Sequence, residues 1–194
     1  YQKSKVLYGI FESKQSIVKN DNCFLVEGYT DVIKMHQCGI SNVVASSGTA
    51  LTENQIRLIN RLTKNITVVF DGDAAGSRAA LRGIDLILEQ GMNVKICNLP
   101  EGDDPDSFVS NKNLEEVQSY LNKNSKDFIV YKASLLLDDS ENDPVKKAAV
   151  IRDMVESISK ISDYIKRELY IKECSSIMNI SCLLYTSDAA DDHH

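Results

Sequence analysis

Between residues 22 and 110, four short apolar runs alternate with segments of helical periodicity, and this alternation constrains the fold more than any other feature of the chain. The runs are Cys23-Phe24-Leu25-Val26, Asn42-Val43-Val44-Ala45-Ser46, Ile66-Thr67-Val68-Val69-Phe70 and Val94-Lys95-Ile96-Cys97-Asn98-Leu99. Each stops at a turn-forming or acidic group: Glu27-Gly28, Ser47-Gly48, Asp71-Gly72-Asp73 and Pro100. Near-continuous apolar strands of this length suit a parallel sheet buried on both faces. Between them, Thr52 and Gln55 have the spacing of a capping box ahead of Ile56, Ile59 and Leu62, and Ala79, Leu81, Ile84, Ile87 and Leu88 precede Gly91, placed as a helix stop. The pattern predicts right-handed βαβ crossovers and an open, mainly parallel α/β sheet with helices on both faces.

After Pro105 the pattern changes. No further strand is expected, and residues 113–123, 125–138, 144–160 and 162–178 read as helices, with Val145, Ala148, Ala149, Met154, Val155, Ile158 and Ile161 keeping an i, i+3, i+4 rhythm. The α/β domain is therefore expected over residues 22–110 and a small helical subdomain over residues 111–181. Residues 182–194, ending in His193-His194, break the helical pattern, resemble translated adapter read-through, and are expected to be a non-native tail. The opening Tyr1-Gln2-Lys3-Ser4 lacks an initiator Met and a signal-type apolar region, so an internal start is expected.

With 43% hydrophobic and 26% charged residues, the composition is that of an ordinary globular protein, and no apolar run approaches the roughly 20 residues that span a bilayer. Neither a membrane role nor a membrane partner is expected. The five cysteines, Cys23, Cys38, Cys97, Cys174 and Cys182, form no C-x-x-C pair and read as free thiols of a reducing cytoplasm. His36, the one histidine outside the tail, is expected on a helix, partly exposed. A net charge of −6 argues against a nucleic-acid partner when taken alone. The charge is segregated, however: residues 1–20 carry Lys3, Lys5, Lys14 and Lys19 against Glu12, whereas Glu101, Asp103, Asp104 and Asp106 crowd into six positions.

Three acidic clusters follow directly on expected strands: Glu27 with Asp31, Asp71 with Asp73, and Asp104 with Asp106. In an open parallel sheet the carboxyl ends of the strands share one edge, so residues just past them converge on one crevice. Carboxylates gathered in this way repel unless a proton or cation neutralises them, and as hard oxygen ligands they match Mg²⁺ or Mn²⁺ rather than zinc. An isolated Asp-Gly-Asp is a common turn; the order of all three clusters along one sheet edge is far more specific. Asp31 reads equally as a carboxylate that orients a ligand or as a first-turn helix acid favoured by the dipole.

This order resembles the Toprim signature, with its single Glu and two later acidic motifs. Fuller phrases are similar to bacterial DnaG-type DNA primases: Leu7-Tyr8-Gly9-Ile10, Val26-Glu27-Gly28-Tyr29-Thr30-Asp31-Val32, Ala45-Ser46-Ser47-Gly48-Thr49, Asp71-Gly72-Asp73-Ala74-Ala75-Gly76 and Gly102-Asp103-Asp104-Pro105-Asp106. The resemblance implies a Toprim-like sheet followed by a small helical subdomain, residues 1–21 being the end of a basic N-terminal polymerase subdomain. It implies synthesis of RNA primers from ribonucleoside triphosphates on single-stranded DNA, by metal-dependent nucleotidyl transfer. Asp71, Asp73 and Asp106 would be Mg²⁺ or Mn²⁺ ligands with Asp104 in support, Glu27 would stand at the metal and help deprotonate the attacking hydroxyl, and Lys3 would contact triphosphate or template. The family's zinc-binding domain and helicase-interacting region are expected to have no counterpart here, so the replicative helicase would bind through a region absent from this chain. The fragment alone is expected to be inactive or weak. Two readings stay open beside this one: another Toprim enzyme, such as a phage-type primase–helicase or a metal-dependent nuclease, and a non-catalytic α/β metal-binding module.

Overall fold

In the computed structural model, which describes residues 2–73, 78–137 and 143–179, the four apolar runs form strands β1 (Cys23–Val26), β2 (Val43–Ala45), β3 (Asn65–Phe70) and β4 (Asn93–Asn98). Helices α1 (Ile10–Asn20), α2 (Tyr29–Cys38), α3 (Glu53–Asn60) and α4 (Arg78–Glu89) precede or separate them. Then come α5 (Pro105–Ser110), α6 (Leu114–Asn124) and a three-residue strand β5 (Ser125–Asp127). The sheet order is β2-β1-β3-β4-β5, parallel except for the antiparallel β4–β5 pair.

Strand order determines which face each helix covers. The chain steps from β1 outward to β2 through α2, then returns across β1 to β3 through α3 and on to β4 through α4. Because crossovers are right-handed, reversing the direction of travel moves the connecting helix to the opposite face. Accordingly α2 packs with α5 on one face, where Val26, Val43, Ala45, Val69 and Cys97 of the strands meet Val32, Met35, Phe108, Val109, Val117 and Leu121 of the helices. Helices α3 and α4 pack on each other, with α4 against β4, and the alternate strand residues Leu25, Val44, Ile66, Val68 and Ile96 are buried too.

Local signals behave as their chemistry requires. Thr52 accepts from Gln55 N (3.3 Å) while Gln55 Oε1 accepts from Thr52 N (3.1 Å), a complete capping box. Gly91, at φ 74°, follows α4 as the stop residue, in a conformation that side chains disfavour. His36 is half-buried on α2, within 3.3 Å of Ser13 Oγ. Cys23, Cys97 and Cys174 are buried, Cys38 is half-buried, and no disulfide joins them among the described residues. Cys182, the tail 182–194 and the Ala74-Ala75-Gly76 loop lie outside the described residues.

One expectation is overturned at residue 125. No strand was expected beyond Pro105, yet Ser125, Lys126 and Asp127 pair with Cys97, Ile96 and Lys95. Three polar residues carry no apolar alternation, so only the return of α6 along the sheet brings them to the β4 edge. For the same reason the chain divides into compact units at Asp127/Phe128 and not at residue 111, with α5, α6 and β5 belonging to the sheet. Residues 2–21 also join the first unit: Tyr8 pairs with Ala45 by two backbone hydrogen bonds, and Gln55 Nε2 donates to the carbonyls of Lys3 and Val6, both at 3.0 Å.

The second unit contains α7 (Phe128–Leu137), α8 (Pro144–Ser159) and α9 (Tyr164–Met178), each packed on the other two. Asp143 and Asp163 cap α8 and α9 by accepting from Val145 N and Ile165 N, both at 2.9 Å. Phe128, Ile129, Met154, Ile158, Ile161, Cys174 and Met178 form its interior, and the Phe128 and Tyr170 rings lie 4.8 Å apart. Lys132, 1% exposed, donates to Ser157 Oγ and pairs with Asp153 at 3.3 Å.

Candidate metal centre

Strands β1, β2, β3 and β4 point the same way, so the loops after them open on one edge of the sheet. The direction of travel reverses between β1 and β3, and in open α/β sheets the ligand crevice forms at such a reversal. Glu27 leaves β1 and Asp71 leaves β3 on either side of it.

A glycine brings the second and third acidic loops together. A Cβ on Gly72 would lie 2.1 Å from Pro100 O and 2.8 Å from Glu101 Cα, so the backbone passes where no side chain fits. Gly72 N donates to Asp103 O at 2.9 Å and Leu99 N to Phe70 O at 3.0 Å, binding the 71–73 loop to the 99–104 loop. The first loop is held from another side. Ser47, at φ 57°, donates its N–H to Glu27 O at 3.0 Å, and its buried hydroxyl finds no partner among the described residues.

These clamps put the carboxylates within each other's field. Burial first, and then Glu27, Asp31, Asp104 and Asp73, push the Asp71 carboxyl up to about 6. Asp31 is 8% exposed and is raised in the same direction, chiefly by burial; the N–H of Gly28, 3.0 Å from Oδ2, opposes this, and Asp104, Asp106 and Glu27 add to it. Asp31 is thus both a capping residue at the third position of α2 and a member of the acidic edge. Asp104 is the N-cap of α5, accepting from Ser107 N at 2.7 Å, so one of its oxygens is engaged with the helix. Asp106 stands in the first turn of α5, 3.7 Å from Lys34 Nζ of α2.

Six of the seven residues singled out from the sequence therefore share one edge: Glu27, Asp31, Asp71, Asp73, Asp104 and Asp106. Lys3 does not join them through any ion pair among the described residues; its side chain is exposed on a 3₁₀ turn, Lys3–Lys5. Among the described residues no three His, Cys, Asp or Glu side chains converge to metal-ligating distance. The donor set nonetheless fits a hard divalent cation: all donors are carboxylate oxygens, and Asp71, raised chiefly by burial, is raised further by its four acidic neighbours. A cavity of about 640 Å³ lined by Asn22, Asn42, Asn65 and Asn93 lies at the other end of the strands, away from these carboxylates.

Sequence reasoning missed Lys34 and the backbone clamp of Ser47. Lys34 carried a readable signal, one helical turn beyond Asp31. The clamp depends on a positive φ at a serine, which residue type does not announce.

Comparison with known proteins matches this architecture. A Toprim-like family model matches residues 24–109, and a model of the DnaB-helicase binding domain of primase matches residues 142–181. The second match overturns the expectation that the helicase-interacting region has no counterpart here; helix periodicity alone does not distinguish one helical pair from another, so the region read only as part of a helical subdomain. A curated DNA primase of Staphylococcus aureus is 35% identical over 93% of this chain, which spans 30% of that protein's length. The crystal structure of a DNA primase domain from Pseudomonas aeruginosa superposes with a TM-score of 0.84 at 31% identity, over 96% of this chain and 60% of that one. A DnaG primase catalytic domain bound to ssDNA superposes at 0.79 with 27% identity, over 91% of this chain and 58% of that one. Sheet topology, acidic edge and similarity along nearly the whole chain place it with the Toprim-containing catalytic region of bacterial DnaG-type DNA primases.

Proposed function

We propose that this chain is the metal-binding part of an enzyme that makes short RNA primers for DNA replication in the bacterial cytoplasm, joining ribonucleoside triphosphates on a single-stranded DNA template. The observation that carries the reading is the shared acidic edge, where burial first, and then four neighbouring carboxylates, raise Asp71 to about 6. Asp71, Asp73 and Asp106 would hold Mg²⁺ or Mn²⁺, with Asp104 in support through its free oxygen. Such an ion supplies Lewis-acid stabilisation of charge on the leaving pyrophosphate and acidifies the attacking hydroxyl.

The chain's own residues do the positioning. Glu27, held through its carbonyl by Ser47 N, would accept the proton of the 3′-hydroxyl. Gly72 keeps the Asp71 and Asp104 loops in register. Lys3, exposed at the start of the first unit, would contact triphosphate or template as a mobile point charge. The similarity of residues 142–181 to a helicase-binding domain supports the replicative helicase as partner of the second unit. Titration calorimetry with Mn²⁺ tests the metal reading: binding by the wild-type chain is expected to disappear in the Asp71→Ala/Asp73→Ala double variant, and unchanged affinity in that variant would overturn it.

A further inference from the structure

Among the described residues, the edge that gathers six carboxylates also holds the ammonium of Lys34. Lys34 Nζ lies 3.7 Å from Asp106 Oδ1, with the two side chains 43% and 42% exposed. Both ends are positioned by packed elements: α2 and α5 pack against each other, and Met35 on α2 and Phe108 and Val109 on α5 are buried in one core. As a stabilising contact an exposed ion pair of this kind is worth little. Its placement matters more. Asp106 adds to the negative field on Asp31, and Lys34, one turn after Asp31, sets its charge on the Asp106 flank of that field.

We propose that Lys34 is a built-in counter-cation of the acidic edge: it occupies Asp106 when no divalent ion is bound, competes with the ion for that carboxylate, and so sets the metal affinity of the site. This rests on the metal reading proposed above. Mg²⁺ or Mn²⁺ bound at Asp106 repels the ammonium and weakens its hold on Oδ1, which leaves it free to meet a phosphate oxygen of an incoming anionic substrate. The competition is electrostatic, so it follows charge and not side-chain shape.

The experiment is Mn²⁺ titration of the whole chain by calorimetry and by the loss of the free-ion electron paramagnetic resonance signal, at low and high salt. Lys34→Gln is expected to tighten Mn²⁺ binding by roughly three- to tenfold at low salt, the scale of a unit charge acting on a divalent ion at side-chain distance. The gain is expected to shrink in about 1 M salt, where the screening length falls to roughly 3 Å. Lys34→Arg, which keeps the charge, is expected to bind as the wild type does, separating charge from any disturbance of packing. Unchanged or weaker binding in Lys34→Gln, alongside loss of binding in Asp71→Ala/Asp73→Ala, would overturn the counter-cation role and leave the metal site standing. Unchanged binding in the double variant would remove both.

Discussion

At Gly72 a single missing side chain holds two acidic loops together. Gly72→Ala would drive a methyl into Pro100 O, 2.1 Å away, and the 71–73 and 99–104 loops must then separate. The expected result is a loss of about 2 kcal/mol or more in urea denaturation, in the range of severe backbone clashes, accompanied by weaker Mn²⁺ binding. Asp71 makes a second prediction, of opposite sign to the usual carboxylate. Its folded-state value, about 6, lies above the roughly 3.9 of a free aspartate. Ionising it therefore opposes folding: its contribution to stability is fully present below about pH 4 and is lost as pH rises through about 6. In EDTA, Asp71→Asn should melt higher than wild type at pH 7.5, with the difference vanishing towards pH 4; saturating Mn²⁺ should reverse the order at pH 7.5. A difference in EDTA that does not vary with pH would show that Asp71 is not the group titrating.

Among the elements, α5 has six residues, too short to stand by itself, and its core side chains keep it in place. Phe108 is 2% exposed, with the Tyr120 ring 4.7 Å away and the Lys112 ammonium 4.3 Å from its own ring centroid. Phe108→Ala should cost about 3–5 kcal/mol by denaturant titration, the range for emptying a buried aromatic site. It should also weaken metal binding, because the same helix carries Asp106 and is capped by Asp104. An alanine variant that loses stability yet binds Mn²⁺ normally would place Asp106 outside the site. The elements also mark where sequence was readable. The capping box at Thr52 and Gln55 and the stop at Gly91 are short-range chemistry, complete within a few residues, and both appear as expected. Strand β5 is the opposite case: Ser125, Lys126 and Asp127 become a strand only because β4 offers an unpaired edge where α6 ends.

For the molecule as a whole, the chain spans 30% of the length of the curated primase it matches. A site that binds the ion without the remainder of that length is expected to bind Mn²⁺ yet make no primers: incorporation of labelled ribonucleotides on single-stranded DNA should stay at background with the 194-residue chain alone, and robust synthesis by it would refute the view that the chain is only part of the machinery. How much of this was legible beforehand depends on range. The sequence by itself determined the four parallel strands, the alternation that makes them parallel, and the acidic residues at their ends, because a strand's apolar run and the charge that ends it are written in consecutive residues. It also placed Glu27, Asp71, Asp73, Asp104 and Asp106 on one edge, since parallel strands share a carboxyl end. What only the tertiary structure decided were contacts between residues far apart in the chain: the Gly72 backbone against Pro100, Ser47 holding Glu27, Lys34 on Asp106, and a polar segment recruited as the last strand. Each depends on where helices packed on a common core deliver their ends, and no local pattern of residue types encodes that distance.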